Sequence, residues 1–374
     1  MNDYKLICEY LEGGMRYIDR SDAYRFIGIY KELLGEYEVH TMRPMWVGLK
    51  VTSKCNCNCI HCWVEKKQYT PTFEKIVLAL DKLKELEIMH ITISGGEPFL
   101  RHDIFSILQE VKKHRFHLEI FTNASLLNES KISKLAQIID SRDVVQVSFD
   151  ASNEEIFNLQ RIGGDFFTLM KNIQLLVDYG IMVRLNFTAT HNNQYDISKA
   201  FFEALKLGAA TFSLSHVFDI NKGESLYDKV DKDLFLKEIN NCLAISQKSR
   251  MEFRPFIPIE YYSSRAKKLM RPNKRLKQHY PILDWFIHSD GSIYPDVTLE
   301  YPEFCLGNIY IDSVKEIRSN IKKKESKLFY RDLSNTKCEY CDQYYLCQGG
   351  ERGRAYRDND KLDSPDSRCH AFEE

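Results

Sequence analysis

Apolar positions change their spacing near residue 46. Before it, apolar residues recur every three or four positions, for example at Leu6, Tyr10 and Leu11, and this period predicts helices. After it, short apolar or alternating runs are separated by longer amphipathic runs, which predicts strands alternating with helices. The sequence therefore predicts a short helical N-terminal extension over residues 1–45 and a strand-and-helix repeat over residues 46–220.

The repeat contains six predicted strands with short connections to the helices between them. Their segments are MWVGLKVT, MHITISGGEPFL, FHLEIFTNAS, DVVQVSFDAS, IMVRLNFTATHNN and AATFSLSHVF. Such alternation indicates an α/β fold of βα units that form a parallel sheet or barrel. In these folds the loops at the carboxyl ends of the strands meet at one rim and build the ligand site. We therefore expect the segments that end the first four strands to converge in space.

The pattern changes again in the second half of the chain. Residues 221–280 are more polar and end in the basic stretch RAKKLMRPNKRLK, so we predict a solvated helical linker there. The segment DWFIHSDGSIYPDV predicts a β-hairpin that turns at Asp290–Gly291. A strand, a helix and a cysteine-rich loop follow. We place a second, small domain at residues 281–374.

Charge and composition exclude several classes of protein. The 374 residues carry a formal net charge of -1, which provides no electrostatic footprint for nucleic acid or a membrane surface. The N-terminal segment lacks the apolar core of a signal peptide, and no apolar run reaches the length of a membrane span. We therefore expect a cytoplasmic protein that binds neither nucleic acid nor a membrane.

Eleven cysteines are distributed unevenly along the chain. Four lie within residues 55–62, three lie within residues 338–347, and Cys369 follows near the end. A reducing compartment disfavours disulfides, so clustered thiols there indicate metal or cluster ligands. The scattered Cys8 and Cys242 are interpreted as small buried hydrophobic residues.

Cys55, Cys59 and Cys62 have the spacing CxxxCxxC in the loop after the first predicted strand. Three thiolates on one loop can hold three corners of a metal cluster and leave one coordination position open for a substrate. The motif alone also allows a zinc knuckle, in which Cys57 would be an alternative ligand to Cys59.

With this loop after the first strand and SGGEP after the second, residues 46–220 resemble the radical S-adenosylmethionine (radical SAM) superfamily. The resemblance implies a partial (βα)6 barrel whose Cys55, Cys59 and Cys62 ligate a [4Fe-4S] cluster. The remaining iron would chelate S-adenosyl-L-methionine (SAM), and Cys57 would not be a ligand. The implied reaction is reductive cleavage of SAM to methionine and a 5′-deoxyadenosyl radical, which abstracts a hydrogen from the substrate.

The same resemblance implies which residues contact SAM. A residue at the position of His61 packs against adenine, and the GGEP backbone and Glu97 bind the methionine amino group. Ser148 and Asp150 would hydrogen-bond ribose, and Arg161 would bind the carboxylate, although a surface arginine is the alternative. Thr190 and Asn192 are weaker candidates. The predicted cofactor-binding residues are His61, Gly95, Gly96, Glu97, Pro98, Asn123, Ser148, Asp150, Arg161 and Thr188.

The second cysteine set consists of Cys338, Cys341, Cys347 and Cys369. By itself it favours a zinc ribbon, because four thiolates complete a coordination sphere. Beside a radical SAM barrel, the segments CEYCDQYYLCQGG, SDGSIYPD and LGNIY resemble the SPASM domain. That resemblance implies one auxiliary [4Fe-4S] cluster, for electron transfer or for fold stabilisation.

A full SPASM domain has a second auxiliary cluster, but three of its ligand positions hold Asp296, Asp312 and Glu351 here. Cys305 alone cannot hold a cluster. We therefore predict no second auxiliary cluster. Asp296 and Glu351 are candidate catalytic residues, as a base or as substrate ligands, with ordinary surface carboxylates as the alternative.

These resemblances predict a radical SAM/SPASM oxidoreductase-type enzyme that matures a ribosomal peptide or protein. Small-molecule or cofactor biosynthesis, for example of a tetrapyrrole, is the alternative within the family. A non-catalytic zinc-binding adaptor is the alternative of another class. The expected partners are a peptide or small-molecule substrate and a flavodoxin- or ferredoxin-type reductant. A separate leader-peptide-binding protein is also considered, because the N-terminal extension is short for a winged-helix domain.

Overall fold

The computed structural model describes residues 46–64, 69–256, 258, 261, 266–271, 277–279, 284–328 and 330–372. The predicted helical extension over residues 1–45 lies outside the described residues. Strands of the described part are β1 Trp46–Thr52, β2 His90–Gly95, β3 His117–Thr122, β4 Val144–Ser148, β5 Val183–Ala189, β6 Thr211–His216, β7 Glu252–Phe256, β8 Lys277–His279, β9 Asp284–Ile287, β10 Ser292–Tyr294, β11 Gly307–Asn308 and β12 Tyr330–Asp332.

Helices separate the strands as the apolar periodicity predicts. They are α1 Phe73–Glu85, α2 Ile104–Lys113, α3 Glu129–Ala136, α4 Glu154–Gln160, α5 Phe166–Asp178, α6 Ile197–Lys206, α7 Glu224–Tyr227, α8 Lys232–Ser246, α9 Val314–Leu328, α10 Tyr344–Cys347 and α11 Arg352–Asn359. Thr72 caps α1, since its side chain accepts a hydrogen bond from the Lys75 amide. No described helix is long and apolar enough to cross a membrane.

Ten strands form one sheet in the order β11-β10-β9-β1-β2-β3-β4-β5-β6-β7. The strands from β1 to β7 are parallel and neighbour one another in chain order. The six-stranded α/β barrel is therefore confirmed. Along β1, Val47, Leu49 and Val51 are fully buried in the hydrophobic core under the helices, so the alternate residues face the opposite, inner side of the curved sheet.

Four strands extend the sheet beyond the predicted six, β7 on one side and β9, β10 and β11 on the other. β7 lies within the predicted linker 221–280 and pairs with β6. Its Pro255 lacks a backbone donor, which an edge strand tolerates. On the other side, β9 pairs in parallel with β1 and antiparallel with β10. The predicted hairpin at Asp290–Gly291 is thus confirmed, and it continues the barrel sheet.

Candidate functional site

The first cysteine loop, residues 53–62, is held by backbone hydrogen bonds on three sides. The Ser53 amide donates to the Tyr69 carbonyl at 2.9 Å, and the Glu97 amide donates to the Lys54 carbonyl at 2.8 Å. The Asn58 amide donates to the Ile162 carbonyl at 2.7 Å. The loop is therefore fixed between the ends of β2 and α4 at the carboxyl rim of the barrel.

Gly95 and Gly96 permit the closest of these contacts. A Cβ atom on Gly95 would lie 2.1 Å from the Thr52 carbonyl oxygen, and one on Gly96 would lie 2.0 Å from the Lys54 carbonyl oxygen. Gly95 also has a φ of +136°, which side chains disfavour. The glycines do permit a close approach of backbone, as expected, but the backbone that approaches them is that of residues 52–55, at the start of the cysteine loop. Binding of SAM by this motif stays a prediction.

The Glu97 carboxylate connects the ends of β2 and β3. It is fully buried and accepts hydrogen bonds from the Thr122 hydroxyl at 2.8 Å and the Asn123 amide at 2.8 Å. Burial raises the pKa of Glu97 to about 7, against the opposing effect of these donors. Sequence reasoning missed this internal role, and the contact of Glu97 with the SAM amino group stays a prediction.

Asn123 lies directly against the cysteine loop. Its side-chain amide is 3.4 Å from the Cys57 sulfur and 4.0 Å from the Cys55 sulfur, and it donates to the Asn56 side chain at 3.0 Å. The next residue, Ala124, has a φ of +56°, a left-handed conformation that glycine adopts more readily than alanine. The residue that follows β3 thus contacts the cysteine loop and helps to hold it in place.

A buried ion pair supports the loop from the α4 side. Arg161 Nε lies 2.6 Å from Asp150 Oδ2, and both side chains are more than nine-tenths buried. Arg161 Nη1 also donates to the Cys59 sulfur at 3.6 Å. Burial alone would lower the pKa of Arg161, but the negative charge of Asp150 raises it overall. Arg161 thus binds both Asp150 and the Cys59 sulfur, and the contacts of Arg161 with the SAM carboxylate and of Asp150 with ribose stay predictions.

His61 is part of the same buried group. Its Nε2 atom lies 3.4 Å from Asp150 Oδ2, and burial lowers the pKa of His61 to about 4. Burial also raises the pKa of Cys59, and the positive charge of Arg161 opposes that rise. The predicted packing of His61 on adenine stays a prediction, since the imidazole here lies beside Asp150.

Asn193 is a site residue that sequence reasoning missed. It is fully buried, and its side-chain amide donates to the carbonyls of Asp150 and Thr188 at 3.0 Å each. The Thr188 amide in turn donates to Asp150 Oδ1 at 2.7 Å. Thr190 is also fully buried and bonded to Gln160, so its place is internal. Ser148, at the end of β4, is half-buried and stays a candidate SAM contact.

A second missed group lies where β1 meets β9. The Lys50 side chain is 6% exposed, with Nζ 3.4 Å from Glu300 Oε1 and 3.2 Å from His288 Nε2. Its ammonium lies 4.5 Å from the centre of the Trp63 ring. Burial lowers the pKa of Lys50, and Glu300 opposes this. The distance of 238 positions between Lys50 and His288 explains why no local pattern indicated the group.

The four cysteines of the second set lie around one small cavity. Its lining includes Cys338, Cys341, Cys347 and Cys369. The buried Arg331 guanidinium holds the loop after Cys347, because it donates to the carbonyls of Gln348, Gly349, Gly350 and Ser364. The sequence prediction that these thiols form one site agrees with this placement.

The candidate catalytic carboxylates lie on either side of one hydroxyl. Thr298 Oγ1 lies 2.8 Å from Asp296 Oδ1 and 2.7 Å from Glu351 Oε1. Glu351 also caps α11 by accepting from the Gly353 amide at 3.2 Å. Asp312 instead accepts from the Asn308 amide at 2.7 Å, and Cys305 contacts the Gly307 carbonyl. Catalysis by Asp296 or Glu351 stays a prediction, with helix capping as a structural role for Glu351.

Comparisons with known proteins agree with this arrangement. Residues 49–202 match the family model of the Radical SAM superfamily. The antilisterial bacteriocin subtilosin biosynthesis protein AlbA of Bacillus subtilis (strain 168) is 26% identical over 329 residues, 84% of this chain and 70% of AlbA. The AdoMet-dependent heme synthase of Methanosarcina barkeri is 23% identical over 333 residues, 84% of this chain and 93% of that protein.

A solved structure shares the fold over nearly the whole length. Streptococcus suis SuiB bound to precursor peptide SuiA superposes with a TM-score of 0.72 at 16% identity, and the match covers 98% of this chain and 87% of that chain. Residues 49–202 of the chain belong to the Radical SAM superfamily. The C-terminal cysteine-rich region has the SPASM-type architecture, and the protein is an enzyme.

The two thiol sets of this radical SAM enzyme fit iron-sulfur chemistry. Fe–S clusters are held by cysteine thiolates, and the structure places three candidate thiols on the rim loop and four around one cavity. Among the residues described, no three His, Cys, Asp or Glu side chains converge on the position of a single metal ion. The family implies SAM and a [4Fe-4S] cluster, and Cys55, Cys59 and Cys62 are the residues that would hold that cluster.

Proposed function

We propose that this radical SAM enzyme matures a ribosomally made peptide or protein. The observation that carries the proposal is the similarity to AlbA, because it extends over 84% of the chain. The fold shared with SuiB, whose structure contains its precursor peptide, supports the same substrate class. When bound at Cys55, Cys59 and Cys62, the cluster would supply the electron that cleaves SAM to the 5′-deoxyadenosyl radical.

The chain's own residues position the site for this chemistry. Glu97 and Asn123 join the ends of β2 and β3 to the cysteine loop. Arg161 places a positive charge 3.6 Å from the Cys59 sulfur and favours its thiolate, which is the form that ligates iron. These contacts fix the loop before any cofactor binds, so little reorganisation is needed on binding.

One auxiliary [4Fe-4S] cluster is proposed at Cys338, Cys341, Cys347 and Cys369. Four thiolates leave no iron open to a substrate, so its role is to accept an electron from the substrate or to stabilise the domain. Asp296 and Glu351 are proposed to take a proton from the substrate or to bind it. Replacing both by amides (Asp296→Asn with Glu351→Gln) should abolish turnover and retain the iron; unchanged turnover would reject a catalytic role.

The proposed substrate class is tested by co-expression with a short peptide encoded beside the gene. We expect a change in peptide mass, measured by mass spectrometry, that requires Cys55 and is accompanied by release of 5′-deoxyadenosine. The control is Cys57→Ala, which we expect to retain the modification, because Cys57 is not a proposed ligand. An unmodified peptide with a fully iron-loaded, SAM-cleaving enzyme would contradict peptide maturation and leave the radical chemistry intact.

Cofactor biosynthesis is the second candidate. It rests on the match to the AdoMet-dependent heme synthase, which covers 93% of that protein, and the comparisons as a whole favour the peptide substrate. It predicts substrate-dependent release of 5′-deoxyadenosine with a tetrapyrrole and none with a peptide. For either substrate we propose a flavodoxin- or ferredoxin-type reductant and a reducing compartment such as the cytoplasm. A separate leader-binding protein is proposed for the peptide substrate only.

A further inference from the structure

The segment of residues 217–228, which follows β6, contacts the first cysteine loop. Lys222 Nζ donates to the Asn58 side-chain oxygen at 2.6 Å and lies 3.5 Å from the Cys59 carbonyl oxygen. Both acceptors belong to the loop that carries the three predicted ligands. The segment therefore adds a direct support to this loop, besides those from β2 and α4.

The other part of the same segment contacts the C-terminal domain. The Asp219 carboxylate is 9% exposed and faces three guanidinium groups. Its Oδ2 atom is 3.0 Å from Arg357 and 3.6 Å from Arg354, and it is also bonded to Arg368. Charges that share one buried carboxylate form a network whose members depend on each other.

Two further residues of the segment hold Arg368. Both carboxylate oxygens of Asp228 accept from its guanidinium at 3.1 Å. The centre of the Tyr227 ring lies 4.2 Å from the Arg368 guanidinium and 5.0 Å from that of Arg354. Because Arg368 immediately precedes Cys369, these contacts help to fix the position of Cys369, a predicted ligand of the second set.

Arg354 links Asp219 to the residues that follow Cys347 in the second cysteine set. It binds the buried Asp366 carboxylate at 2.8 and 2.9 Å. The Asp366 amide donates to the Gly349 carbonyl at 2.8 Å, two residues after Cys347. Cys347 is therefore close in sequence to Gly349, which is linked to Asp219 through Asp366 and Arg354. Cys369 is adjacent to Arg368, which binds Asp219 directly.

The segment between these contacts is tightly folded. Asn221 has a φ of +52°, and its side chain donates to the Trp63 carbonyl at 2.5 Å. A Cβ atom on Gly223 would lie 2.1 Å from the Phe218 carbonyl oxygen. Close-packed backbone of this kind transmits a displacement at one end to the other.

We propose that the 217–228 segment couples the two cysteine sites, so that order at either site protects the thiols of the other. Lys222, which contacts the first cysteine loop, and Asp219, which contacts the arginines near the second set, are its positioning residues. The iron-sulfur identity of the bound groups rests on the proposed function. The coupling itself concerns only the two sets of thiols and the segment between them.

The test is cysteine-resolved alkylation of the full-length protein. Anaerobically iron-loaded protein is treated with a chelator and iodoacetamide, and the labelling rate of each cysteine is measured by mass spectrometry. Asp219→Ala should speed labelling of Cys55, Cys59 and Cys62 as well as of the second set, by about threefold or more. Lys222→Met should likewise speed labelling at both sets.

Two controls make the result specific. Lys229→Met changes an exposed lysine one residue beyond the segment and should alter neither set. Cys242, fully buried in α8, should remain protected in every variant, because its labelling reports general unfolding. Faster labelling of only the nearer cysteine set in each variant would overturn the coupling, as would equal acceleration at Cys242.

Metal-free protein separates this inference from the proposed function. If the chain takes up no iron, the proposed function fails, but labelling of the metal-free thiols still tests the segment. In that form Asp219→Ala should still speed labelling of Cys59 by about threefold. An unchanged rate at Cys59 would overturn the coupling whatever the iron content.

Discussion

The Arg161–Asp150 pair shows how single residues set the properties of the cysteine loop. Both charges are buried, and removing one partner of a buried pair leaves an uncompensated charge. Arg161→Met should therefore lower the free energy of unfolding by about 3 kcal/mol or more. Urea unfolding of metal-free protein measures it.

The double variant Asp150→Asn with Arg161→Met is the matched control. It removes both charges, so it should be more stable than Arg161→Met alone. A single variant as stable as the wild type would show that the pair contributes nothing to the loop. Equal stability of the single and double variants would show that the unpaired charge is not the cause of the loss.

Glu97 predicts a pH dependence of stability. Burial raises its pKa to about 7 from an ordinary value of 4.5, so between these values the folded protein binds a proton more tightly than the unfolded chain. Stability should then fall as pH rises from about 4.5 to 7, by about 3 kcal/mol in total from this group. Glu97→Gln cannot titrate and should lack this part of the slope. Parallel stability curves of the two proteins in urea over that pH range would contradict the assignment.

The glycine turn after β2 gives a prediction about an element. A Cβ atom at Gly96 meets the Lys54 carbonyl oxygen at 2.0 Å, so Gly96→Ala should displace the cysteine loop. We expect loss of the iron bound at the first set, measured as iron per chain after anaerobic reconstitution. Gly180→Ala is the control, because Gly180 has a φ of +72° but no atom within 4 Å of its Cβ position. Gly180→Ala should cost about 1 kcal/mol of backbone strain, and this variant should keep its iron. Equal loss of iron from both variants would show that the contact with the Lys54 carbonyl is not the cause.

The elements also show what local sequence can predict. The first six strands followed from the apolar spacing of the sequence. β7 did not, because it has only five residues, of which two are charged and one is Pro255. The parallel pairing of β9 with β1 depends on residues more than 200 positions apart, and no local pattern encodes such a register.

At the site, residue types were predictable and their partners were not. Spacing located the cysteines, and the family resemblance located Glu97, Asp150 and Arg161. The buried pairing of Asp150 with Arg161 and the internal hydrogen bonds of Glu97 arise from packing between β2, β3, β4 and α4. Asn193 had no motif to mark it, since its partners are backbone carbonyls.

The whole molecule connects the two cysteine sets through the 217–228 segment, which contacts the first cysteine loop and the Arg368 side chain beside Cys369. Removal of one predicted ligand of the second set should lower the iron content by one cluster. Cys347→Ala should reduce the iron from about eight to about four per chain, because a four-iron cluster is expected at each site. Unchanged iron in this variant would contradict an auxiliary cluster at the second set.

The most direct measurement is iron content together with SAM cleavage at the first set. Wild-type protein reconstituted without oxygen should hold about eight irons per chain and release 5′-deoxyadenosine with SAM and a reductant. Cys55→Ala, Cys59→Ala and Cys62→Ala should each lose about four irons and all cleavage, whereas Cys57→Ala should keep both. Wild-type protein that binds zinc in place of iron, or that cleaves SAM equally well without Cys55, would contradict radical chemistry at this loop.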